Sequence, residues 1–367
     1  MIIIKSLCWV TPDYFLDTDV YVMRFLSNYF KINWIITKKK GDILSYQGLI
    51  NDISKKPNIQ IDIFELSGKS YGFKGFQYFY RLQKKTKHAD IVYQPSRFLY
   101  TLPFMVLFGN RRNTVLPIHN VRTPKGGSHY IINKIYTAIA IRYFHNYVTF
   151  SQSQQNLLLS INKKANVLYA PFMLKDYGRP TVMRQNNLVT FLSFGNIRRY
   201  KRIDVLIDAA QRVYEDTSMK FRVIIAGSCP DWSVYQQRIK YPELFDLRIG
   251  RVKDEYIPNL FVECDYFVTP YQDIAQSGSL IVGINYNKPI IASKLEAFEE
   301  YVEDKKNGFL IKPADVDDLT HVMKIVILNH QEMYPMLRAN QKKMIDAKFN
   351  DKVIIDKYVQ FLSDISK

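Results

Sequence analysis

Arg198, Arg199 and Lys201 lie in one short loop, FGNIRRYK from Phe194 to Lys201. The run before it, LVTFLSF from Leu188, has the composition of a buried strand and stops at Gly195. The stretch after it, RIDVLIDAA from Arg202, has the spacing of an amphipathic helix. A strand, a turn through Gly195 and Asn196, a basic loop and a helix start together make an anion site. Free backbone N–H groups, the positive end of a helix and mobile cations converge there. The chemistry is the holding of a phosphate. Cations at a helix start oppose its dipole, so they need a reason other than solvation. Lys201 and Arg198 are the candidates, whereas Arg199 and Arg202 read as surface charge.

Further along, TPYQDIAQSGSLIVGINYNKPIIAS from Thr269 is followed by EEYVEDKKNGFLIKP from Glu299. With the basic loop, in this order and spacing, these segments resemble the donor half of the retaining nucleotide-sugar glycosyltransferases of family 4, the group 1 enzymes with the GT-B fold. The resemblance covers 188–315 best, extends to 367 less closely and is weak over 1–187. It implies that Gly195, Arg198 and Lys201 clamp the donor diphosphate. The departing nucleotide diphosphate gains negative charge as the glycosidic bond breaks, and fixed cations and N–H donors stabilise that state.

The family's pair of glutamates separated by seven residues is missing. Aligned on Asn287–Lys288–Pro289, its positions fall on Ile274 and Val282. In their place Gln276, Ser277 and Gly278 open a helix, and the Ser277 and Gly278 amides are expected to face the diphosphate. Gly278 allows close backbone approach; Ser277 also reads as a plain N-cap. Gln276 or Asp273 is expected to take over a sugar-hydroxyl contact. Gly227, ending FRVIIA, is placed at the same cleft. Arg251 and Val252, in IGRV, match the place where the family reads the base through backbone groups. Glu300 matches a recurrent glutamate near the sugar or ribose. Asn307–Gly308 reads as a turn.

His119 follows the run TVLPI, at the carboxyl end of a strand where a cleft residue belongs. The resemblance assigns such a histidine to the donor sugar. Asp17-Thr18-Asp19 spells a D-x-D motif, but it follows the first strand directly, where an aspartate N-cap is the simple reading. The GT-B resemblance implies no metal. Asp19 is kept as a candidate on the acceptor side.

The elements that must position these residues are short apolar runs alternating with helical patterns. Strands are expected over Ile2–Val10, Ile32–Thr37, Ile59–Phe64, Ile91–Gln94, Val115–Ile118, Tyr147–Ser151 and Val167–Ala170. The segment PFMLKDYGRPTVMRQNN then reads as a linker. The pattern restarts over Leu188–Phe194, Phe221–Ala226, Leu247–Ile249, Tyr266–Val268, Pro289–Ala292 and Phe309–Ile311. Two such runs predict an α/β chain of two doubly wound, Rossmann-like parallel sheets with the site in the cleft between them. Residues 1–172 form the expected acceptor domain and 187–349 the donor domain. A last helix at 350–367 is expected to pack back on the first.

The formal charge is +17 over 367 residues. Residues 1–180 hold 25 Lys and Arg against 9 Asp and Glu, and residues 181–367 hold 26 against 25. The first half therefore carries nearly all the field and is expected to meet an anionic surface, either nucleic acid or the inner membrane leaflet. KSYGFKGFQYFYRLQKKTK from Lys69 interleaves aromatics with cations, which favours a monotopic membrane surface. The longest apolar stretch, Phe98–Gly109, is too short to span a bilayer and contains Pro103. Cys8, Cys229 and Cys264 have neither zinc nor disulfide spacing, which fits a reducing cytoplasm. The first residues, MIIIKSLCWV, read as a strand and not as a signal peptide.

The resulting expectation is a cytoplasmic hexosyltransferase, peripheral at the inner membrane face, acting in cell-surface polysaccharide biosynthesis. It would move a sugar from a nucleotide donor to a glycan acceptor, lipid-linked, with retention and without a metal cofactor. A GT-B epimerase would need acid–base carboxylates around the sugar. A nucleic-acid binder would show steep salt dependence, and no nucleic-acid partner is expected. An inactive GT-B scaffold would bind nucleotide without turnover.

Overall fold

The computed structural model describes residues 5–44, 46–96, 100–121, 130–175, 177–184, 187–274 and 277–365. Short Ile, Val and Phe runs, buried on both faces, become parallel strands, and the amphipathic stretches between them become helices that cover those faces. The chain divides into two compact units, Met1–Met173 with Asp351–Lys367, and Leu174–Asn350.

The first unit is a seven-stranded parallel sheet of β1 (Ser6–Pro12), β2 (Lys31–Lys39), β3 (Ile59–Leu66), β4 (Ile91–Tyr93), β5 (Thr114–Ile118), β6 (Asn146–Thr149) and β7 (Asn166–Tyr169), in the order β3-β2-β1-β4-β5-β6-β7. Its helices are α1 (Leu16–Leu26), α2 (Gln47–Ser54), α3 (Gly72–Thr86), α4 (Thr101–Phe108), α5 (Tyr130–Tyr143) and α6 (Gln152–Ile161). The second unit holds β8 (Thr190–Phe194), β9 (Arg222–Gly227), β10 (Phe245–Ile249), β11 (Tyr266–Thr269), β12 (Ile290–Ser293) and β13 (Gly308–Ile311), in the order β10-β9-β8-β11-β12-β13. Around them lie α7 (Ile203–Thr217), α8 (Ser233–Gln236), α9 (Ile257–Glu263), α10 (Gly278–Asn285), α11 (Glu296–Glu299), α12 (Val316–Leu328) and α13 (His330–Lys348). The last helix, α14 (Asp351–Ile365), belongs to the first unit, where Ile354, Tyr358 and Leu362 enter the core around Trp9 and Trp34.

Every expected run is a strand. The first lies later than expected, because β1 keeps pairing with β2 as far as Pro12 opposite Thr37; residues 2–4 lie outside the described ones. In each sheet the strand order reverses once, between β1 and β4 and between β8 and β11. Such a reversal leaves a crevice at the strands' carboxyl ends, where ligands of doubly wound folds sit. Among the described residues no helix is long and apolar enough to cross a membrane.

Candidate functional site

Three glycines stand at the carboxyl ends of three neighbouring strands of the second sheet. Gly195 after β8, Gly227 ending β9 and Gly250 after β10 have φ of 106°, 146° and 147°. The Gly195 N–H donates to Ala226 O at 2.9 Å, and the Gly250 N–H to Gly227 O at 3.1 Å. A Cβ on Gly227 would lie 2.1 Å from Gly195 O, so no other residue fits there without moving backbone. The result is a floor of bare main chain.

Lys201 reaches over this floor. A Cβ on Gly195 would meet its Nζ at 3.2 Å and the Ser279 Cβ at 3.5 Å. Lys201 is buried, and its Nζ has no hydrogen-bond acceptor or carboxylate partner among the described residues. Burial lowers its pKa below the ordinary lysine value. The Nζ lies 5.4 Å from the ring centroid of Tyr271, just beyond β11. The Tyr271 hydroxyl is 2.9 Å from Ser279 Oγ, which is 3.0 Å from Ser277 Oγ. Ser277 is the N-cap of α10, accepting from the Leu280 N–H at 3.3 Å. The cap and the open amides of Gly278 and Ser279 are therefore compatible roles for one turn. A buried ammonium, the start of a helix and a glycine floor converge at the β8/β11 reversal.

The other predicted donor residues divide by placement. Asn196, Arg198, Arg251 and Asp273 are exposed around this floor, on loops that follow β8, β10 and β11, and Val252 is half-buried. Arg198 opens the turn that carries Lys201, whose N–H donates to Arg198 O at 2.9 Å. Arg202, read as surface charge, is held by Asp204. Glu300 is half-buried just past α11, and its carbonyl accepts from Lys348 Nζ. Gln276 lies outside the described residues. Asn307 is a turn residue, donating to Tyr301 O at 2.8 Å and accepting from the Glu303 N–H at 2.7 Å. Sequence reasoning overlooked Tyr271, Ser279 and Gly250, although all three stand inside segments it had singled out.

Two predicted residues belong to the first unit. His119, just after β5, sits among Phe15, Phe150 and Phe172, with ring centroids at 4.0, 4.4 and 5.4 Å. Asp19 departs from its expected acceptor role. It is 4% exposed and lies inside α1, whose N-cap is Phe15. Asp19 Oδ2 accepts from Trp9 Nε1 at 2.9 Å and from Thr11 Oγ1 at 2.6 Å. Burial pushes the Asp19 carboxyl up to about 7. It is a core acid, because the helix turns it toward β1 and away from solvent.

Residues 189–329 match the family described as glycosyl transferases group 1. Over 179 residues the chain is 25% identical to the O-antigen chain mannosyltransferase C of Escherichia coli, covering 48% of this chain and 46% of that one. Over 236 residues it is 20% identical to the poly(ribitol-phosphate) alpha-N-acetylglucosaminyltransferase of Staphylococcus aureus, covering 59% and 43%. The chain thus spans less than half the length of these relatives. Among solved structures, Anabaena HepE in complex with UDP aligns with a TM-score of 0.74 at 16% identity, over 98% of this chain and 100% of that one. A glycosyltransferase from Rickettsia africae gives 0.74 at 16%, over 100% and 99%. These likenesses show the fold, which is GT-B, as expected from the sequence.

Proposed function

Taking as premise that residues 189–329 are a group 1 glycosyltransferase domain, we propose that this protein transfers a hexosyl group from a nucleoside-diphosphate sugar to a glycan acceptor. The observation that carries the proposal is the buried Lys201 ammonium, without an anionic partner among the described residues, over the Gly195 floor and beside the α10 start. A buried cation with no partner is costly, and a site keeps one for an anion that arrives. The diphosphate is that anion. Lys201 and the Gly278 and Ser279 amides bind it, with Arg198 closing from the exposed loop. As the bond from the anomeric carbon to the phosphate oxygen breaks, its electron pair goes to the diphosphate, and these groups stabilise the growing charge. The acceptor hydroxyl adds to the same face, retaining the configuration, and its proton passes to the departing phosphate oxygen. His119 is assigned to the donor sugar, Glu300 and Asp273 to sugar or ribose hydroxyls, and the Arg251 and Val252 backbone to the base.

The relatives' names include an O-antigen mannosyltransferase and a poly(ribitol-phosphate) sugar transferase. They support a role in cell-surface polysaccharide synthesis. The basic first half supports a lipid-linked acceptor, met at the inner face of the cytoplasmic membrane. Protein cations and amides at the diphosphate support transfer without a metal, so chelation with EDTA should leave the rate unchanged.

The test is a thermal-shift panel with UDP, GDP, ADP, dTDP and CMP, followed by a transfer assay with the sugar form of the nucleotide that binds. A shift with one diphosphate and sugar transfer are expected. No shift with any nucleotide overturns the reading. Hydrophobic residues at 274 and 282 favour a second reading, a GT-B scaffold that binds nucleotide without turnover. A shift without transfer would select it.

A further inference from the structure

The first unit carries an apolar face left exposed among the described residues. Helix α5, YIINKIYTAIAIRY, is apolar on two sides. Ala140 and Ile141 point into the core with Leu102 and Leu116. Ile131, Ile135 and Ile139, spaced by one helical turn, form a stripe on the outside, and Ile131 is 70% exposed. A helix apolar all round is normally buried. The stripe has neighbours: Tyr143 of α5 donates to Val106 O of α4 at 3.0 Å, and Leu107 and Phe108 at the end of α4 are exposed. On the other side of α4, Phe104 meets Phe76 of α3 at 5.0 Å, and Phe108 meets Tyr80 at 5.9 Å. Phe76 is exposed, and Phe73, a turn earlier, is 74% exposed. Single exposed hydrophobics need no explanation, but a continuous patch over three helices does.

The charge around the patch says what covers it. Residues 67–145 contain thirteen Lys and Arg and one acidic residue, Asp90. Asp90 is engaged by the backbone and hydroxyl of Ser6. Arg81, Lys84, Arg111, Arg112, Lys134 and Arg142, all exposed, border the apolar helices. The Lys84 ammonium stands 4.7 Å over the Tyr80 ring, so that its stem lies along the aromatic patch. A second copy of the chain would bring an equal positive charge, and nucleic acid has no hydrocarbon to receive the isoleucines. A bilayer leaflet of anionic lipid supplies both a negative surface and an acyl boundary.

We propose that the outer face of α3, α4 and α5 is a membrane-docking surface, with its Phe and Ile side chains entering the headgroup boundary of an anionic leaflet and its cations on lipid phosphates. This rests on the membrane part of the function proposed above and names the surface that performs it. The test is flotation of the full chain with vesicles of phosphatidylcholine alone and of an equal mixture with phosphatidylglycerol. The wild type should float only with the anionic vesicles. The triple variant Ile131→Ser, Ile135→Ser, Ile139→Ser alters exposed side chains only and should partition at least about tenfold more weakly. The triple variant Lys84→Gln, Arg111→Gln, Arg112→Gln should lose on the order of a hundredfold at low salt, roughly fivefold per cation. Both variants should keep the wild-type shift with nucleoside diphosphate. Vesicle binding is read without nucleotide, so its failure leaves the donor proposal standing, and a failed nucleotide shift leaves the docking proposal standing. No flotation, or flotation that the isoleucine variant does not weaken, overturns the proposal. A dimer abolished by that variant, or duplex DNA bound more tightly than the vesicles, overturns it as well.

Discussion

Replacing Lys201 by Met keeps the aliphatic stem and deletes the ammonium, and the two consequences should run in opposite directions. In the free protein the charge is buried without an acceptor among the described residues. The Tyr271 ring at 5.4 Å returns about 0.5–2 kcal/mol, less than a desolvated charge costs. Lys201→Met should therefore be as stable as wild type or more so, by about 1 kcal/mol. With nucleotide the sign reverses. A hydrogen bond from an ammonium to a phosphate contributes about 1.5–3 kcal/mol, and about 2 kcal/mol raises Kd roughly 30-fold. At about 100 times the wild-type Kd, the wild type gains about 2.7 kcal/mol; the variant, near three times its own Kd, gains about 0.9 kcal/mol. For a unit of this size the wild-type shift is about 5–11 °C and the variant's about 2–4 °C. Scanning fluorimetry with the diphosphate chosen by the panel reads both. A pH series adds a check of sign: folding lowers the Lys201 pKa, so wild-type stability should rise as pH rises through that lowered value toward about 10.4, and the variant should lack this rise. A variant that keeps the full nucleotide shift, or whose free form loses several kcal/mol, refutes the assignment of this ammonium to the diphosphate.

Gly227→Ala should cost at least about 3 kcal/mol and remove nucleotide binding, since its Cβ would stand 2.1 Å from Gly195 O at a φ of 146°. A loss under about 1 kcal/mol in urea unfolding would contradict that account. Asp19, held near 7 when folded and about 3.9 when unfolded, binds its proton more tightly in the folded chain. Wild-type stability should thus fall by a few kcal/mol as pH rises from about 4 to about 7 and level off above, while Asp19→Asn flattens that slope. Equal slopes in denaturant titrations of the two proteins would count against the buried acid. Arg184 binds Asp265, 1% exposed, at 2.5 and 2.7 Å, and Asp265 also accepts from the Thr190 N–H. Arg184→Ala leaves that carboxylate buried and should lower stability by about 3–5 kcal/mol, read as a shift of the urea midpoint.

The fold was legible because each buried strand announces itself as an uninterrupted apolar run, as TFLSF and RVIIAG do, and parallel order follows from the alternation with helices. The grouping of Gly195, Arg198 and Lys201 was legible for a related reason: they follow one another in the chain, so no tertiary contact is needed to bring them into one loop. Tyr271 and Ser279 were not, because what places them beside Lys201 is the adjacency of β8 and β11, whose partners Phe191 with Tyr266 and Leu192 with Phe267 are each 75 residues apart in the chain. Asp19 misled for the opposite reason. D-x-D is a surface motif only if its second acid faces out, and one turn of α1 faces it to Trp9.

The same packing bears on the apolar residue at position 282, the second of the two glutamate positions. Gly283 sits where a Cβ would be 2.6 Å from the Phe267 ring, so α10 is pressed onto β11. Val282, beside it, is 6% exposed. An acid at 282 would be desolvated in this setting, with no described cation assigned to it, and the cost of an unpaired buried charge favours an apolar residue. Under the proposed function the α10 start serves the donor through its amides and hydroxyls. That role makes Ser277→Ala informative: it removes the cap, about 1 kcal/mol of stability, and with it the order of the amides, so nucleotide affinity should fall several-fold although no charge is lost. Titration calorimetry that found unchanged affinity in a stably folded Ser277→Ala would remove α10 from the donor site and leave the phosphates to Lys201 and Arg198 alone.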